Sequence, residues 1–434
     1  MVDFIVLGGG WAGTIFALEL KYNFPDVEVV VLEKSDVLGG LLKSVHIDNH
    51  IFDIGGSHVI FSHNKRLLDK MLLLLDKNLI KHQRKTYVLL GSIFIPYPLE
   101  NGLYVLPPEE RAEALISFLE AWSSRRANWA PKTFKDWIYG FFGKWIAEKY
   151  LIPYNFKIWK RPLDEIDADW TYTPGRLPIP DWRDVVKSTV GIPTVGYAEQ
   201  SIFYYPKQGG IQALHNSAVK KARNLGVKFR NNVKVSEIKK RNGEWVINNR
   251  FKAKRLISTI PLRELVETLD APNDIVKASK ELDYNKVVVV GIALKKTAQR
   301  QHWIYVPNSN ITFHRYAWIS NYSPKNAPYG ESTILAEITL PLNVDANIEK
   351  LKAKVVADLE KLEVINQNEV LFTKAWLHEY GYPIYKINSR GKREIIIKWL
   401  KEQNILSVGR WGSWHYWNMD KIYEQVLKEI REIC

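Results

Sequence analysis

The stretch from Asp3 to Glu33 constrains this chain more than any other, because it reads without a break as strand, tight glycine turn, helix and second strand. Phe4-Ile5-Val6-Leu7 carries no charge, as expected of a strand buried on both faces of a parallel sheet, and runs directly into Gly8-Gly9-Gly10-Trp11-Ala12-Gly13. Gly8, Gly10 and Gly13 fit G-x-G-x-x-G. The first glycine turns the chain, the second lets backbone approach a pyrophosphate, and the third allows close packing of helix and sheet. The pyrophosphate would rest on the N-terminus of a helix from 12 to about 22, whose free N–H groups favour anions. A second strand over 27–32 ends at Glu33, twenty residues after Gly13, where a carboxylate accepts both ribose hydroxyls and disfavours a 2′-phosphate. A glycine fingerprint alone is as often an ordinary tight turn. With strand, helix, second strand and acid in register, it reads as a dinucleotide site.

Leu38-Gly39-Gly40-Leu41 repeats the glycine theme, and a second pair of this kind resembles the turn that lets backbone approach FAD in flavoproteins. FAD rather than NAD is therefore the expected cofactor. The residues expected to hold it here are Gly8, Gly10, Trp11, Ala12, Gly13, Glu33, Lys34, Gly39, Gly40 and Leu41.

At 434 residues the chain is too long for one simple core, so two or three structural units are expected. The balance of 61 Lys and Arg against 47 Asp and Glu gives +14, which suits an anionic ligand. These cations look spread along the chain rather than gathered in one arm, which argues for a solvated basic surface and against nucleic-acid binding. The single cysteine, Cys434, cannot build a disulfide, a zinc site or a CxxC centre, and no metal is expected. With a first strand at the N-terminus and no apolar run near roughly 18 residues, a soluble cytoplasmic protein without a transmembrane segment is expected.

Further along, 45–54 alternates as a hairpin, 65–79 reads as a helix, and 87–95 as two short strands. From 107 to 150 the pattern is helical, while 153–206, rich in Pro, Trp and Tyr, reads as long loops with short helices. A helix is predicted over 212–225, then strands over 227–237, 245–260, 287–294, 304–306, 316–320 and 332–340. A helix at about 348–362, a strand over 405–408, a turn at Gly409-Arg410 and a helix from about Asp420 complete the reading.

Several segments, in order, give the chain a family likeness. They include Phe52-Asp53-Ile54-Gly55-Gly56, His58-Val59-Ile60-Phe61-Ser62-His63, His82-Gln83-Arg84, Pro96-Tyr97-Pro98, and Tyr154-Asn155-Phe156-Lys157-Ile158-Trp159. Later come Trp303-Ile304-Tyr305, Phe313-His314-Arg315, Gly381-Tyr382-Pro383 and Gly409-Arg410-Trp411-Gly412-Ser413-Trp414-His415-Tyr416. Together they resemble UDP-galactopyranose mutase in its fungal and other eukaryotic form, within the FAD-dependent amine oxidase and protoporphyrinogen oxidase-like group.

The resemblance implies an isomerase that interconverts pyranose and furanose forms of a UDP-sugar through a covalent adduct at N5 of reduced FAD. It also implies an external flavin reductant such as NAD(P)H and a place in cell-surface polysaccharide biosynthesis. Arg176 and Arg315 would grip the diphosphate, Tyr305 and Tyr416 would donate to it, and Tyr97 would stack near uracil. Asn155, Trp159 and Trp303 would line the substrate pocket, and His58 would lie beside the flavin. Arg410, Asn418, Met419 and Asp420, with Gly409, would approach the isoalloxazine or ribityl chain, and Val235 would meet adenine.

The implied fold is α/β. A Rossmann-like FAD-binding domain would come from 1–95, 201–285 and 396–434, an inserted helical domain from 96–200, and a mostly antiparallel substrate sheet from 286–395. Plainer readings stand beside these. Trp159, Trp303 and Tyr305 could be core aromatics, either arginine could be an ion pair, and His58 could be structural, as His63, His82 and His314 are taken to be. Ser57 is an extra residue between the paired glycines and His58, and Glu100 replaces a glutamine near uracil. The competing function is an FAD-dependent oxidoreductase of the amine oxidase or protoporphyrinogen oxidase type.

Overall fold

In the computed structural model, which describes residues 1–126, 129–172, 177, 179–194, 196 and 201–433, the strand Val2–Leu7 lies inside a parallel sheet. It pairs parallel with Val29–Leu32 on one side and Phe251–Ser258 on the other; Lys228–Arg230 and Ile405–Ser407 extend the sheet beyond them. Burial on both faces explains the uncharged strand sequence. One face is covered by helices, among them Trp11–Asn23, Gln212–Asn224 and Met419–Ile433. The antiparallel pair Ile238–Arg241 and Glu244–Ile247 continues this sheet, Glu244–Ile247 pairing antiparallel with Phe251–Ser258, and Ile238, Trp245 and Ile247 share a buried cluster with Ile5 and Val30. The Rossmann-like layering expected of the first strand, turn and helix is present.

Among the described residues the second sheet has seven strands; Asp283–Leu294, next to the edge strand, pairs antiparallel with Ser332–Leu340 and with that edge strand, Val370–Ile384. Its valines divide by parity. Val287 and Val289 face the central core, while Val288 and Val290 face the helix Ile348–Lys361 through Val355 and Leu359. The sheet continues through Arg315–Trp318 and Trp303–Tyr305 to Thr86–Leu90 and Ile93–Pro96, so that an early hairpin is joined to strands more than two hundred residues later.

The region expected to be helical over 107–150 is so. It contains Pro108–Ser124 and Phe134–Ile146, the second started by a capping box in which Thr133 and Asp136 satisfy each other's backbone N–H. Helices Ile152–Trp159 and Trp182–Thr189 and the strand Ile202–Tyr205 lie within the expected loop region. Arg161 anchors this region to the second sheet with a two-pronged ion pair to Asp283, at 2.9 and 3.0 Å, which Lys386 joins at 3.1 Å.

Three departures have local causes. Only Lys228–Arg230 of the predicted 227–237 strand is paired, because the chain then leaves the sheet edge and is held by the Asn248 side chain, which bonds Lys234 O and the Ser236 and Glu237 N–H groups. The fifteen-residue strand Val370–Ile384 is not signalled by the sequence pattern, since its half-exposed faces blur the alternation and Pro383 argues against a strand interior. Helices Leu262–Thr268, Asn273–Lys280 and Ser389–Glu402 are likewise additions to the predicted elements, and Gly409–Gly412 is a helical turn.

Gly13 shows how tightly the first turn is built, because a Cβ there would lie 2.0 Å from Gly8 O. Gly13→Ala is therefore expected to destabilise by about 3 kcal/mol or more and to release the cofactor. Gly391, inside the helix Ser389–Glu402, has nothing within 4 Å of the position a methyl group would take, so Gly391→Ala should stabilise by roughly 0.5–1 kcal/mol. Chemical denaturation of both variants checks the contrast. Equal effects would mean that the turn has slack.

Candidate active site

The two glycine turns meet face to face. Gly39 N–H donates to Gly9 O at 3.0 Å, and a Cβ on Gly10 would meet nothing nearer than Gly40 Cα at 3.7 Å, so a gap remains between backbones. Gly8, at φ +97°, and Gly40, at φ +56°, take conformations that favour glycine. Leu41 sits in the short helical turn after them, where a side chain on Gly55 would strike its carbonyl. The Glu33 carboxylate accepts from Gly9 N–H at 2.8 Å and Ser35 N–H at 2.9 Å, which fixes it while leaving lone pairs for further donors. Lys34 points outward and reaches Glu264 at 3.9 Å. Val235 follows the strand Lys228–Arg230 and is half-buried against the cluster that holds Ile5 and Trp245.

The C-terminal segment closes this cradle. Trp11 Nε1 donates to Met419 O at 3.0 Å, a Cβ on Gly409 would collide with Ala12 Cβ at 2.5 Å, and Ser62 Oγ donates to Asp420 Oδ2 at 2.9 Å. Asn418 precedes Met419 at the start of the last helix, where its carbonyl accepts from Ile422 N–H. Arg410 donates from Nη2 to Gly381 O at 2.9 Å. Asp420 Oδ1 and His215 Nδ1 are buried without partners among the described residues. His215, missed from sequence, lies 3.0 Å from Thr14 Oγ1 beside both glycine turns, and burial lowers its pKa to about 4.

Beyond the cradle lies a cleft built on one buried carboxylate. Arg315 and Glu337 are opposite each other in neighbouring strands, and Arg315 Nε and Nη2 donate to Glu337 at 3.1 and 2.7 Å. Burial alone would raise the Glu337 carboxyl, but Arg315 and His314 outweigh it and hold it at about 2. The pairing leaves Arg315 Nη1 without a partner among the described residues. Ser57 N–H also donates to Glu337, at 3.1 Å, and its hydroxyl lies 2.6 Å from Tyr322 OH, so the extra residue before His58 is tied down. His58 Nδ1 donates to Gly56 O at 3.0 Å; burial, aided by Arg410 and Arg315 against Glu337, lowers its pKa to about 4 and keeps it neutral. Arg176 lies outside the described residues.

Aromatic rings wall the cleft. Tyr305 stands 5.0 Å from Tyr97 and 5.2 Å from Tyr154, and Tyr416 stands 5.1 Å from Tyr382 and 5.8 Å from Trp159, measured between ring centroids. Arg410 lies over Tyr416 and Tyr382, and Arg84 over Tyr97. The hydroxyls of Tyr97, Tyr154, Tyr305 and Tyr382 make no hydrogen bond to a described residue. Burial raises the pKa of Tyr97, Tyr154 and Tyr382, so these three stay protonated donors. Asn155 and Trp159 are buried against each other, Trp159 Nε1 donating to Asn155 Oδ1 at 3.2 Å, and Trp303 packs on Phe203.

The family model for flavin containing amine oxidoreductases matches residues 183–418, more than half of the chain. The chain belongs to this family. An NAD(P)-binding Rossmann-like domain model matches residues 6–72. Among solved structures this flavoprotein is similar to a reduced UDP-galactopyranose mutase, with TM-score 0.90, 22% identity, and coverage of 100% of this chain and 94% of that one. It is also similar to a proposed protoporphyrinogen oxidase from Exiguobacterium sp. 255-15, with TM-score 0.78, 17% identity and coverage of 100% and 98%. A CLA-producing fatty acid isomerase from P. acnes follows, with TM-score 0.67, 14% identity and coverage of 99% and 98%. At such identities the likeness is one of fold. The cofactor is FAD, and the cradle fits it: an open gap between glycine backbones, a fixed acid at Glu33, and unpartnered buried atoms on His215 and Asp420.

Sequence reasoning missed Glu337 and gave no role to Tyr154 or Tyr382. The signal for Glu337 is present, since it is the lone acid in the otherwise uncharged strand Ser332–Leu340. Because its pKa falls from the ordinary 4.5 to about 2, the stability it contributes is complete above pH 4.5 and is lost as pH drops toward 2. Glu337→Gln, which leaves Arg315 in the site without its counter-charge, should cost roughly 3–5 kcal/mol at neutral pH. The deficit should shrink between pH 4.5 and 2 in parallel denaturation curves. A pH-independent deficit would show that the ion pair is not its source.

Proposed function

We propose that this flavoprotein is a flavin-dependent UDP-sugar mutase that interconverts pyranose and furanose forms, with UDP-galactopyranose and UDP-galactofuranose as the pair to test. One observation carries the reading. Four tyrosine hydroxyls and Arg315 Nη1 line one cleft as hydrogen-bond donors with no acceptor among the described residues. An apolar oxidase substrate would leave those donors unsatisfied, at about 1–3 kcal/mol each, whereas a diphosphate offers acceptors to all of them. Reduced FAD would supply the electron-rich centre that engages the anomeric carbon while UDP is detached.

The chain's own residues would position and stabilise. Glu337 locks one edge of Arg315 so that the free edge meets phosphate oxygen without first losing side-chain freedom. Arg84 and Arg410, held over tyrosine rings, add positive charge around the departing diphosphate, and Arg176 would be a further contributor. His58 would present a neutral imidazole whose Nε2 can accept a proton or hydrogen bond, since Nδ1 is committed to Gly56 O. The cofactor would be held by 1–95, 201–285 and 396–434, with 96–200 and 286–395 facing substrate and the hairpin at 86–96 joining the latter's sheet. An external reductant such as NAD(P)H would prime the flavin without being consumed in each turnover.

Family membership favours a second reading, an FAD-dependent oxidoreductase of the amine oxidase or protoporphyrinogen oxidase type. The two part on redox demand. Dithionite-reduced protein should convert UDP-galactofuranose to UDP-galactopyranose, oxidised protein should not, and no reductant should disappear in proportion to product. Equal rates in both states, or one reductant per turnover, would transfer the assignment to the oxidoreductase.

Within the mutase reading, Arg315→Ala should lower kcat/KM by roughly 30-fold or more, since losing a charged hydrogen bond to the leaving group costs about 2 kcal/mol or more. Arg315→Lys should recover only part, because a point charge cannot hold Glu337 and phosphate together. FAD content should be unchanged in both. Normal turnover by Arg315→Ala would remove the clamp.

A further inference from the structure

The cations are not spread evenly along the chain, as expected above, but concentrated in one segment of it. Residues 220–255 hold thirteen Lys and Arg against two Glu, so +11 of the chain's +14 belongs to these 36 residues. The remainder is nearly neutral. Charge of this density in one short region is a feature with a location, not a general solvated surface.

Within it, Arg223, Arg230 and Arg250 line a single cavity of about 460 Å³ together with Phe229 and Phe251. They come from three separate places: the end of the helix Gln212–Asn224, the end of the strand Lys228–Arg230, and the turn before the strand Phe251–Ser258. Arg223 lies 5.5 Å from the centre of the Phe229 ring and Arg250 lies 5.0 Å from that of Phe251, so two of the guanidiniums are propped on aromatic faces. None of the three pairs with a carboxylate among the described residues. Neighbouring cations do pair: Lys228 with Glu28 at 3.6 Å, Lys239 with Glu237 at 2.5 Å, and Lys254 with Asp3 at 2.8 Å.

The backbone beneath is fixed. Asn232 N–H donates to Ser35 O at 3.1 Å and Val233 N–H to Glu33 O at 2.8 Å, which ties the cavity wall to the acidic turn of the FAD cradle. Three unneutralised guanidiniums around one opening repel each other, and a bound anion reverses the sign of that interaction. Planar guanidinium forks, two of them resting on aromatic rings, bind phosphate oxygens in pairs, which the absence of a carboxylate partner among the described residues leaves these exposed arginines able to do.

We infer that this cavity is a second binding site, for a ligand carrying a phosphate group with at least two negative charges, contacted by Arg223, Arg230 and Arg250. It uses none of the residues assigned to FAD or to the UDP-sugar. A soluble oligophosphate and the phosphate headgroup of an anionic lipid offer the same chemistry.

The experiment uses FAD-saturated protein at low salt, where screening is weakest. Inorganic tripolyphosphate is titrated calorimetrically, and flotation is measured with phosphatidylcholine vesicles containing phosphatidic acid. Saturable one-to-one binding of tripolyphosphate without vesicle association assigns a soluble ligand. Vesicle association that tripolyphosphate displaces assigns the lipid headgroup, and either result supports the site. The R223Q/R230Q/R250Q variant should bind at least about tenfold more weakly with an unaltered flavin spectrum and melting temperature. A K239Q/K240Q/R241Q control on the adjacent hairpin should change binding by no more than roughly twofold. If the triple variant is unstable, Arg230→Gln alone should show the loss in the same direction. Binding of neither probe, or an equal loss in the control, overturns the inference.

Discussion

The buried carboxylate of Glu337 decides most of what surrounds it. An ionised carboxylate inside a protein is tolerated only when its charge and lone pairs are met, and here Arg315, Ser57 N–H and the nearby His314 supply that environment. The consequences run outward along the chain. Gly56 must pass over the carboxylate, at φ +103° and with a would-be Cβ only 3.1 Å from Glu337 Cδ, so a side chain there meets both backbone strain and the ion pair. Ser57 is held between Glu337 and Tyr322, which turns the extra residue into a fixed spacer. His58 then stands within the field of Glu337, Arg315 and Arg410 and stays neutral. A hydrophobic pair of similar shape would fold at least as well, so stability is a weak reason for burying these charges. Orientation of Arg315 is a better one.

Long-range ties of the same kind connect cleft and cradle. Trp11 belongs to the first helix, yet its indole N–H is bonded to Met419 O four hundred residues later, and Tyr423 packs edge-on against its ring. Gly409 meets Ala12, and Ser62 meets Asp420. Each of these contacts joins the early part of the chain to the closing segment, so its two ends jointly frame the cradle that fits FAD. A mutation that loosens Met419–Ile433 would therefore be felt at the glycine turn without touching it.

What could be read from sequence was what is local. Gly8 to Glu33 specifies its own strand, turn and helix through glycine spacing, apolar runs and one acid, and all of that information sits within one stretch. The segment Val370–Ile384 defeats the same reasoning because its strand is stabilised by long-range pairing with Asp283–Leu294, which overrides Pro383 and an interrupted alternation. Glu337 shows the intermediate case. Its burial could be suspected from an apolar strand, but its partner, Arg315, is a cross-strand neighbour that only the register reveals. Asn155 shows the converse: the motif containing it is recognisable, but the fold ties its amide to Leu151 O and Trp159 Nε1. The cavity lined by Arg223, Arg230 and Arg250 was not legible, because the three come from a helix end, a strand end and a turn that only the fold brings together.

The prevalence of tyrosine over lysine in the cleft has a physical logic. A lysine beside Arg84, Arg315 and Arg410 would add like-charge repulsion to the cost of burial and tend to shed its proton, as Lys157 illustrates: burial lowers its pKa to about 7 although two carbonyls accept from it. A phenol avoids that difficulty. Burial raises its pKa instead, so Tyr97, Tyr154 and Tyr382 remain donors at any physiological pH and hold an oxygen anion without carrying charge of their own. Under the mutase reading such donors would act mainly on the oxygen they touch, because a dipole's interaction falls faster with distance than an ion's. A few oriented cations would set the strength of attraction, and a ring of neutral hydroxyls its geometry. A leaving group that must be released from carbon, retained, and then allowed to recombine is better served by that division than by a cleft filled with positive charge.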